Sequence, residues 1–262
     1  MKLSIVTPTF NEERNILNLL QSVSNMFDRL GYEYEHIIVD NCSTDNTVSI
    51  ALAFATTAKN RIRIISNPQN YGPDYSPMKG FKEAEGDLVI PVVADFQDPP
   101  EIIETMLEIY QKSQNIDAVL CVFDTEKDKG IRGYLSTVFY KVIKFISLYE
   151  EREHFQGFGL YTRKLVDRMI SDPYRYYYFR GLISKHAISV ETLRYARPKR
   201  IQGKTSYNWT KLAKHAVVAV NSQNRYFFDL LLATALLLLL GVNLESMVLM
   251  AISLLKNIYT TE

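Results

Sequence analysis

Apolar runs and helical periodicities alternate along the first part of the chain. Residues 3–7 are apolar and β-branched, and Pro8 closes the run. Ile16, Leu19, Leu20 and Val23 then recur at helical spacing, with Asn11 placed to cap the helix they predict. Residues 36–40 predict a second strand, ending on the carboxylate of Asp40. A polar turn, Asn41 to Asp45, leads into a helix that runs to about Ala58. Residues 61–66 read as a third strand, 67–73 as loop, and 76–85 as a helix closed by Gly86. A fourth strand over 87–93, a helix over 101–112 and a fifth strand over 117–123 complete the series. Strand and helix alternate with short connections. That pattern predicts an α/β fold with a mostly parallel sheet and helices on both faces.

Beyond Phe123 the pattern changes. Residues 124–133 are a charged loop, and 131–149 predict a helix with Leu135, Val138, Phe139, Val142, Ile143 and Ile146 on one broad apolar face. A core helix is one reading. A membrane-interface or acceptor-side helix is the other, given Tyr134, Tyr140, Lys141 and Lys144. Residues 155–161 hold two glycines among aromatics, 162–171 predict a short helix, and 174–180 are strongly aromatic. Such rings pack in cores or interfaces, with base stacking as the alternative. Residues 194–214 carry Arg194, Arg197, Lys199, Arg200, Lys204, Lys211 and Lys214 and no acid. They precede 226–242, nearly all Leu and Ala at its centre. At about 17 residues that stretch is at the short end of a membrane span. Asn243 and Glu245 interrupt, and 247–255 are apolar again. A transmembrane hairpin, a single span and an interfacial hairpin all fit. The adjacent basic residues predict a cytosolic side and suit anionic headgroups or a phosphate-bearing lipid. The expected organisation is a catalytic domain over 1–205, a basic interface helix over 206–224 and a membrane-associating hairpin over 225–262.

Composition narrows the chemistry. Hydrophobic residues make up 47% of the chain, enough for a substantial core, and the net charge of +1 carries no global nucleic-acid signature. Cys42 and Cys121 are far apart and lack metal-ligand spacing, so each reads as a small apolar side chain. The opening residues show no signal-peptide pattern, which predicts that the bulk of the chain stays in the cytosol. Attention falls on 87–101, where a buried-strand pattern turns acidic and then meets Pro99 and Pro100. Asp95, Gln97 and Asp98 can offer oxygen ligands to a hard cation there. Equally, Asp98 can cap the next helix, with the prolines in its first turn and Glu101 favouring its dipole. Asp40 and Asp95 share the carboxyl edge of the predicted sheet with Phe10, Asn11 and Glu12. Neither a GxGxxG nor a GxxxxGK[ST] pattern occurs, which argues against a dinucleotide oxidoreductase and a P-loop enzyme. A nucleotide site built on carboxylates is the remaining reading.

Three segments together resemble family 2 glycosyltransferases, especially the dolichyl/polyprenyl-phosphate sugar transferases. They are Ile5-Val6-Thr7-Pro8-Thr9-Phe10-Asn11-Glu12-Glu13, Val39-Asp40-Asn41-Cys42-Ser43-Thr44-Asp45 and Ala94-Asp95-Phe96-Gln97-Asp98-Pro99-Pro100-Glu101. Asn70-Tyr71-Gly72 and the segment from Arg200 to Tyr207 resemble further family elements. The resemblance implies a GT-A-type, Rossmann-like fold. It implies that Pro8, Phe10, Glu12, Asp40 and Asn70 bind the nucleotide sugar, and that Asp95 and Gln97 hold Mg²⁺ or Mn²⁺ on the donor diphosphate. Arg200, Lys204 and Thr205 would meet the acceptor phosphate, which makes Asp95 and Arg200 the expected catalytic pair. The implied reaction moves one sugar from a nucleotide-diphosphate sugar to a polyprenyl phosphate at the cytoplasmic face of the cell membrane, with inversion. A second copy of the chain is a further candidate partner; nucleic acid is not. A phosphate acceptor, with a second pKa of about 6, is already anionic at neutral pH and needs no protein base. A saccharide hydroxyl acceptor would need one, with Asp98 as the candidate. A non-catalytic nucleotide-sugar-binding membrane protein is the third reading. It is motivated by two departures: Val93 where many relatives carry a carboxylate, and Gln156-Gly157-Phe158-Gly159 in place of a Gly-Asp-Phe-Arg segment.

Overall fold

In the computed structural model, residues 1–123, 152, 154–173 and 178–198 are described. Seven strands among them form one sheet in the order β3-β2-β1-β4-β6-β5-β7. The first half is a parallel series: β1 (Leu3–Thr9), α1 (Ile16–Leu30), β2 (Tyr34–Asp40), α2 (Thr47–Ala55), β3 (Arg61–Ser66), α3 (Tyr75–Glu83) and β4 (Leu88–Pro91). Next come α4 (Ile102–Lys112), β5 (Ala118–Phe123), β6 (Phe155–Thr162), α5 (Arg163–Ile170), α6 (Phe179–His186) and β7 (Val190–Tyr195). β6 lies antiparallel between β4 and β5, and β7 pairs parallel to β5 at the edge.

The mostly parallel α/β sheet follows from strands buried on both faces. Every residue of β2 is buried, and β1 is nearly so. Alternation sorts their side chains: Leu3, Ile5 and Ile38 pack under α1, α2 and α4, while Val6, Ile37 and Val39 pack under α3, α5 and α6. α1 turns Ile16, Leu19, Leu20, Val23, Met26 and Phe27 inward and ends at Gly31, whose left-handed φ of 71° lets its N–H reach the Phe27 carbonyl. α3 lies close on the sheet because Gly80 faces Val6; a Cβ there would collide with the valine methyl. Polar pairs obey the same alternation. Thr7 Oγ1 and His36 Nε2 share a hydrogen bond of 2.8 Å on one face. On the other, buried Glu35 accepts from Ser4 Oγ at 2.7 Å, from the Glu85 N–H at 2.7 Å and from Arg63 at 3.1 Å.

Several local expectations are corrected. β1 does not stop at Pro8 but runs to Thr9. Val6 O accepts from Val92 N and Thr9 O accepts from Asn41 N, so alternation points the Pro8 nitrogen toward β4's side, beyond the end of that strand. The missing donor therefore breaks no ladder. β4 is shorter than the 87–93 run, and α2 ends three residues before Ala58. Asn11 does not cap α1; that position belongs to Asn15, whose side chain makes no capping bond. β6, α6 and β7 add a second half that the five-strand expectation lacks. The expected helix over 131–149, the basic segment from Lys199 and the hydrophobic stretch over 226–255 lie outside the described residues. Among the described residues no helix is long and apolar enough to cross a membrane.

Candidate active site

The carboxyl ends of β1, β2 and β4 are neighbours. Thr9 is in register with Asp40, and β4 runs parallel to β1 on its other side. Each of the three turns that follow holds a non-glycine residue in the left-handed region: Asn11 at φ 56°, Cys42 at 69° and Phe96 at 59°. That region costs an L-residue roughly 1–2 kcal/mol, and a bulky residue such as Phe enters it only when surrounding contacts demand it. Here the contacts are between turns. The Asn11 N–H donates to Ser43 Oγ at 2.9 Å, and Asn11 Oδ1 accepts from the Thr44 N–H at 2.8 Å. The Glu12 N–H donates to Thr47 Oγ1 at 2.8 Å and the Glu13 N–H to Asp45 at 3.1 Å. Asn11 is thus spent on stitching two turns together, which is why it is not a cap.

A cavity of about 290 Å³ opens at this edge. Pro8, Thr9, Phe10, Asn41 and Gly72 line it from the first strand-end turns and the loop after β3, Val93 and Asp98 from the turn after β4, and Gly157, Phe158, Phe179 and Arg180 from β6 and α6. Of the expected nucleotide ligands, Pro8 and Phe10 line the cavity itself. Glu12 lies beside it, and its carboxylate accepts from Asn15 Nδ2 at 2.7 Å. Asn70 shapes the wall rather than lining it: its Oδ1 accepts from Asn41 Nδ2 at 3.0 Å and from the Gly72 N–H at 2.9 Å. Asp40 is buried, with Oδ2 accepting from the Ser43 N–H at 3.0 Å. Asp40 Oδ1 and its register neighbour Thr9 Oγ1 are buried without a hydrogen-bond partner among the described residues. Unpaired buried acceptors are rare in folded proteins and need a reason.

Asp95 follows β4 and is 8% exposed, its Oδ1 accepting from the Gln97 N–H at 3.1 Å. The two therefore sit on one tight turn. Their side chains offer a carboxylate and an amide oxygen, a hard-cation set that fits Mg²⁺ or Mn²⁺ only when phosphate oxygens complete it. Among the described residues no group of three or more His, Cys, Asp or Glu side chains could hold a metal alone. Val93 lines the cavity where a further carboxylate would have stood.

Asp98 differs from its expected role. It does not cap α4; the helix starts at Ile102 with Glu101 at the cap position and no side-chain cap. Instead Asp98 Oδ1 accepts from the Tyr195 hydroxyl at 2.8 Å, with Arg197 Nε at 3.5 Å, an ion-pair distance without an aligned hydrogen bond. Burial holds the Asp98 carboxyl above the usual carboxylate range; Arg197 and the Tyr195 hydroxyl oppose that shift, and nearby Asp95 adds to it. Arg197 also lies over the Phe123 ring at 4.9 Å.

Of the remaining lining, Asp98 is an expected cation ligand or base, Gly157 and Phe158 belong to the segment that departs from the family's Gly-Asp-Phe-Arg, and Phe179 and Arg180 belong to the aromatic run for which base stacking was the alternative. Gly157 has a φ of 97°, and a Cβ on it would meet the Phe179 ring at 2.8 Å. The Phe179 N–H donates to Asp74 Oδ1 at 3.1 Å, and an Arg180 N–H donates to the Phe155 carbonyl at 3.2 Å. Arg200, Lys204 and Thr205 lie outside the described residues.

The model of glycosyl transferase family 2 matches residues 4–170. The chain belongs to that family. A prophage bactoprenol glucosyl transferase homolog of Escherichia coli (strain K12) is 30% identical to this glycosyltransferase over 223 residues, 85% of this chain and 72% of the relative. An undecaprenyl-phosphate 4-deoxy-4-formamido-L-arabinose transferase of Shewanella sediminis (strain HAW-EB3) is 29% identical over 209 residues, 80% of this chain and 62% of the relative. The fold resembles glucosyl-3-phosphoglycerate synthase from Mycobacterium tuberculosis, solved with Mn²⁺, uridine diphosphate and glucosyl-3-phosphoglycerate. The TM-score is 0.58 and the identity 17%, covering 84% of this chain and 78% of that one. The glycosyltransferase thus has GT-A-like structural neighbours and relatives named for sugar transfer to bactoprenol or undecaprenyl phosphate.

Proposed function

We propose that this glycosyltransferase moves one sugar from a nucleotide-diphosphate sugar to a polyprenyl phosphate, with inversion, on the cytoplasmic face of the cell membrane. The observation that carries the reading is the convergence of three strand-end turns on one cavity, which Pro8, Thr9, Phe10, Asn41, Val93 and Asp98 all line. The names of the curated relatives support a lipid phosphate as the acceptor. Phe10, 37% exposed at the cavity wall, offers a ring to the base, with Pro8 beside it. Asp40, at the end of β2 beside these turns, is assigned to the base or ribose, and Glu12 and Asn70 hold the surrounding turns.

Asp95 and Gln97 would hold Mg²⁺ or Mn²⁺ against the donor diphosphate, where the cation neutralises charge on the leaving group. Asp95 and Gln97 thereby orient the diphosphate, while the cavity walls exclude water from the anomeric carbon. The acceptor phosphate attacks from the opposite side, and no proton must be removed from it first. Arg200, Lys204 and Thr205 orient that phosphate, with Arg200 offsetting its charge. Residues 1–205 form the catalytic unit, 206–224 lie at the interface, and 225–262 associate with the bilayer.

The test is transfer of radiolabelled sugar from a donor panel to undecaprenyl phosphate by the purified full chain, with Mn²⁺. A labelled lipid with an acid-labile sugar–phosphate linkage is expected, and Asp95→Ala should remove it. Label appearing only on a saccharide hydroxyl, or full transfer by Asp95→Ala, would overturn the reading.

A further inference from the structure

Asp98 is a buried carboxylate that the proposed chemistry leaves unused. It is 5% exposed and lines the same cavity as Pro8 and Phe10. Both its neighbours act on the same oxygen: the Tyr195 hydroxyl donates to Oδ1 at 2.8 Å, and Arg197 Nε lies 3.5 Å from it. Oδ2 has no partner among the described residues and is not among the side-chain atoms sealed from solvent. Tyr195 is held in turn by edge-on contacts with Phe123 and Phe158, at centroid distances of 6.3 Å and 5.9 Å. The carboxylate is therefore fixed at one oxygen and presents the other to the cavity. A buried anion has to be matched by a donor, and a sugar ring carries hydroxyl donors.

Asp98 stands three residues past Asp95, directly after Gln97 in the chain that follows β4, and it lines the same cavity as Pro8 and Phe10. A donor whose base lies at Phe10 and whose diphosphate lies at Asp95 extends its sugar toward Asp98. We propose that Asp98 Oδ2 accepts a hydrogen bond from a hydroxyl of the transferred sugar, with Tyr195 and Arg197 as positioning residues that aim it. This rests on the nucleotide-sugar reading above and assigns Asp98 to the sugar rather than to the metal or the helix. It also gives β7 a part in donor choice, since Tyr195 ends that strand.

Asp98→Asn tests it with little change of shape. Tyr195 and Arg197 are both donors, so they keep the amide oxygen on their side and turn the amide NH₂ toward the cavity. An acceptor becomes a donor, and a sugar hydroxyl loses its partner. Calorimetry on the full chain with Mn²⁺ would compare UDP-glucose with UDP. The expected result is that Asp98→Asn weakens UDP-glucose about tenfold or more, the scale of a hydrogen bond to a charged group, while UDP binds as to the unsubstituted chain. Tyr195→Phe should give a smaller loss with the same selectivity. UDP binding unchanged also shows that the variant is folded. Equal weakening of both ligands would place Asp98 on the metal or diphosphate and overturn the inference, as would no weakening at all. An unsubstituted chain that binds UDP-glucose no better than UDP would overturn it too. Failure of the unsubstituted chain to bind either ligand would overturn the donor-site reading itself, and this inference with it.

Discussion

His36 gives the sharpest physical prediction. It is fully enclosed in β2, 1% exposed, with Thr7 Oγ1 at 2.8 Å from Nε2. Burial pushes its pKa down from about 6.5 to about 3, because the charged imidazolium finds no solvation there. The unfolded chain takes up a proton as the pH falls through 6.5, and the folded chain takes it up only near 3. Stability from this group is therefore complete above pH 6.5 and is lost as the pH falls from 6.5 toward 3. At roughly 1.4 kcal/mol per pH unit, lowering the pH from 7.5 to 5.0 removes about 2 kcal/mol. Other groups also titrate over this range, so the variant His36→Asn serves as the reference. Its packing and hydrogen-bond losses apply at both pH values and cancel in the difference. Urea unfolding of both proteins at pH 7.5 and 5.0 should show the stability gap between them narrowing by about 2 kcal/mol at the lower pH. A gap that stays constant within about 0.5 kcal/mol would refute a neutral, buried His36.

Other outcomes can be checked more briefly. Gly157→Ala places a Cβ against the Phe179 ring at a φ of 97° and should destabilise the protein by about 2–4 kcal/mol; an unchanged thermal midpoint would disprove that packing. Arg63→Ala leaves buried Glu35 without its cation, 3.1 Å away, and should cost about 3–5 kcal/mol. Adding Glu35→Gln should then recover part of that loss in the same unfolding assay. Val93→Asp restores a carboxylate to the cavity wall and should tighten Mn²⁺ binding in the presence of UDP by about tenfold; calorimetry showing unchanged affinity would count against a metal at Asp95 and Gln97.

β1, β2, β4 and β5 were legible because they are buried on both faces, so that each reads as a short apolar run between helical periodicities; the edge strand β3 was legible only because Ile62, Ile64 and Ile65 keep an apolar run in it. β2 illustrates the burial, since even its Glu35 and His36 are buried. β6 was hidden for the opposite reason. Gly157 and Gly159 interrupt its apolar residues, and both are there for close approach: a Cβ on Gly159 would meet the Val119 carbonyl at 2.6 Å. β7 is an edge strand with mostly exposed or half-exposed residues, so its pattern carries no core signal. α6 begins inside an aromatic run, and Phe179 at its start is set by packing on Tyr161 and Phe81 rather than by helical spacing.

Asn11 and Asp98 fail as caps for a shared reason. A polar residue ahead of an apolar-periodic segment satisfies the local rule for a helix start, but a distant donor can claim its oxygen first. Thr44 claims Asn11 from 33 residues away, and Tyr195 claims Asp98 from 97 residues away. That division runs through the whole cavity. The wall with Pro8, Thr9, Phe10 and Asn41 is made of βα turns, whose residues stand next to the strands that position them, and it could be read from short motifs. The lining by Gly157, Phe158, Phe179 and Arg180, and the Tyr195 bond that aims Asp98, depend on an antiparallel strand inserted between two earlier ones and on β7 pairing back onto β5. No local pattern encodes that insertion. The half of the cavity that suits the nucleoside is therefore the legible half. The half proposed to meet the sugar is assembled by tertiary contacts, so on that proposal substitutions at Gly157, Phe179 or Tyr195 should alter donor choice while leaving the strand-end turns intact.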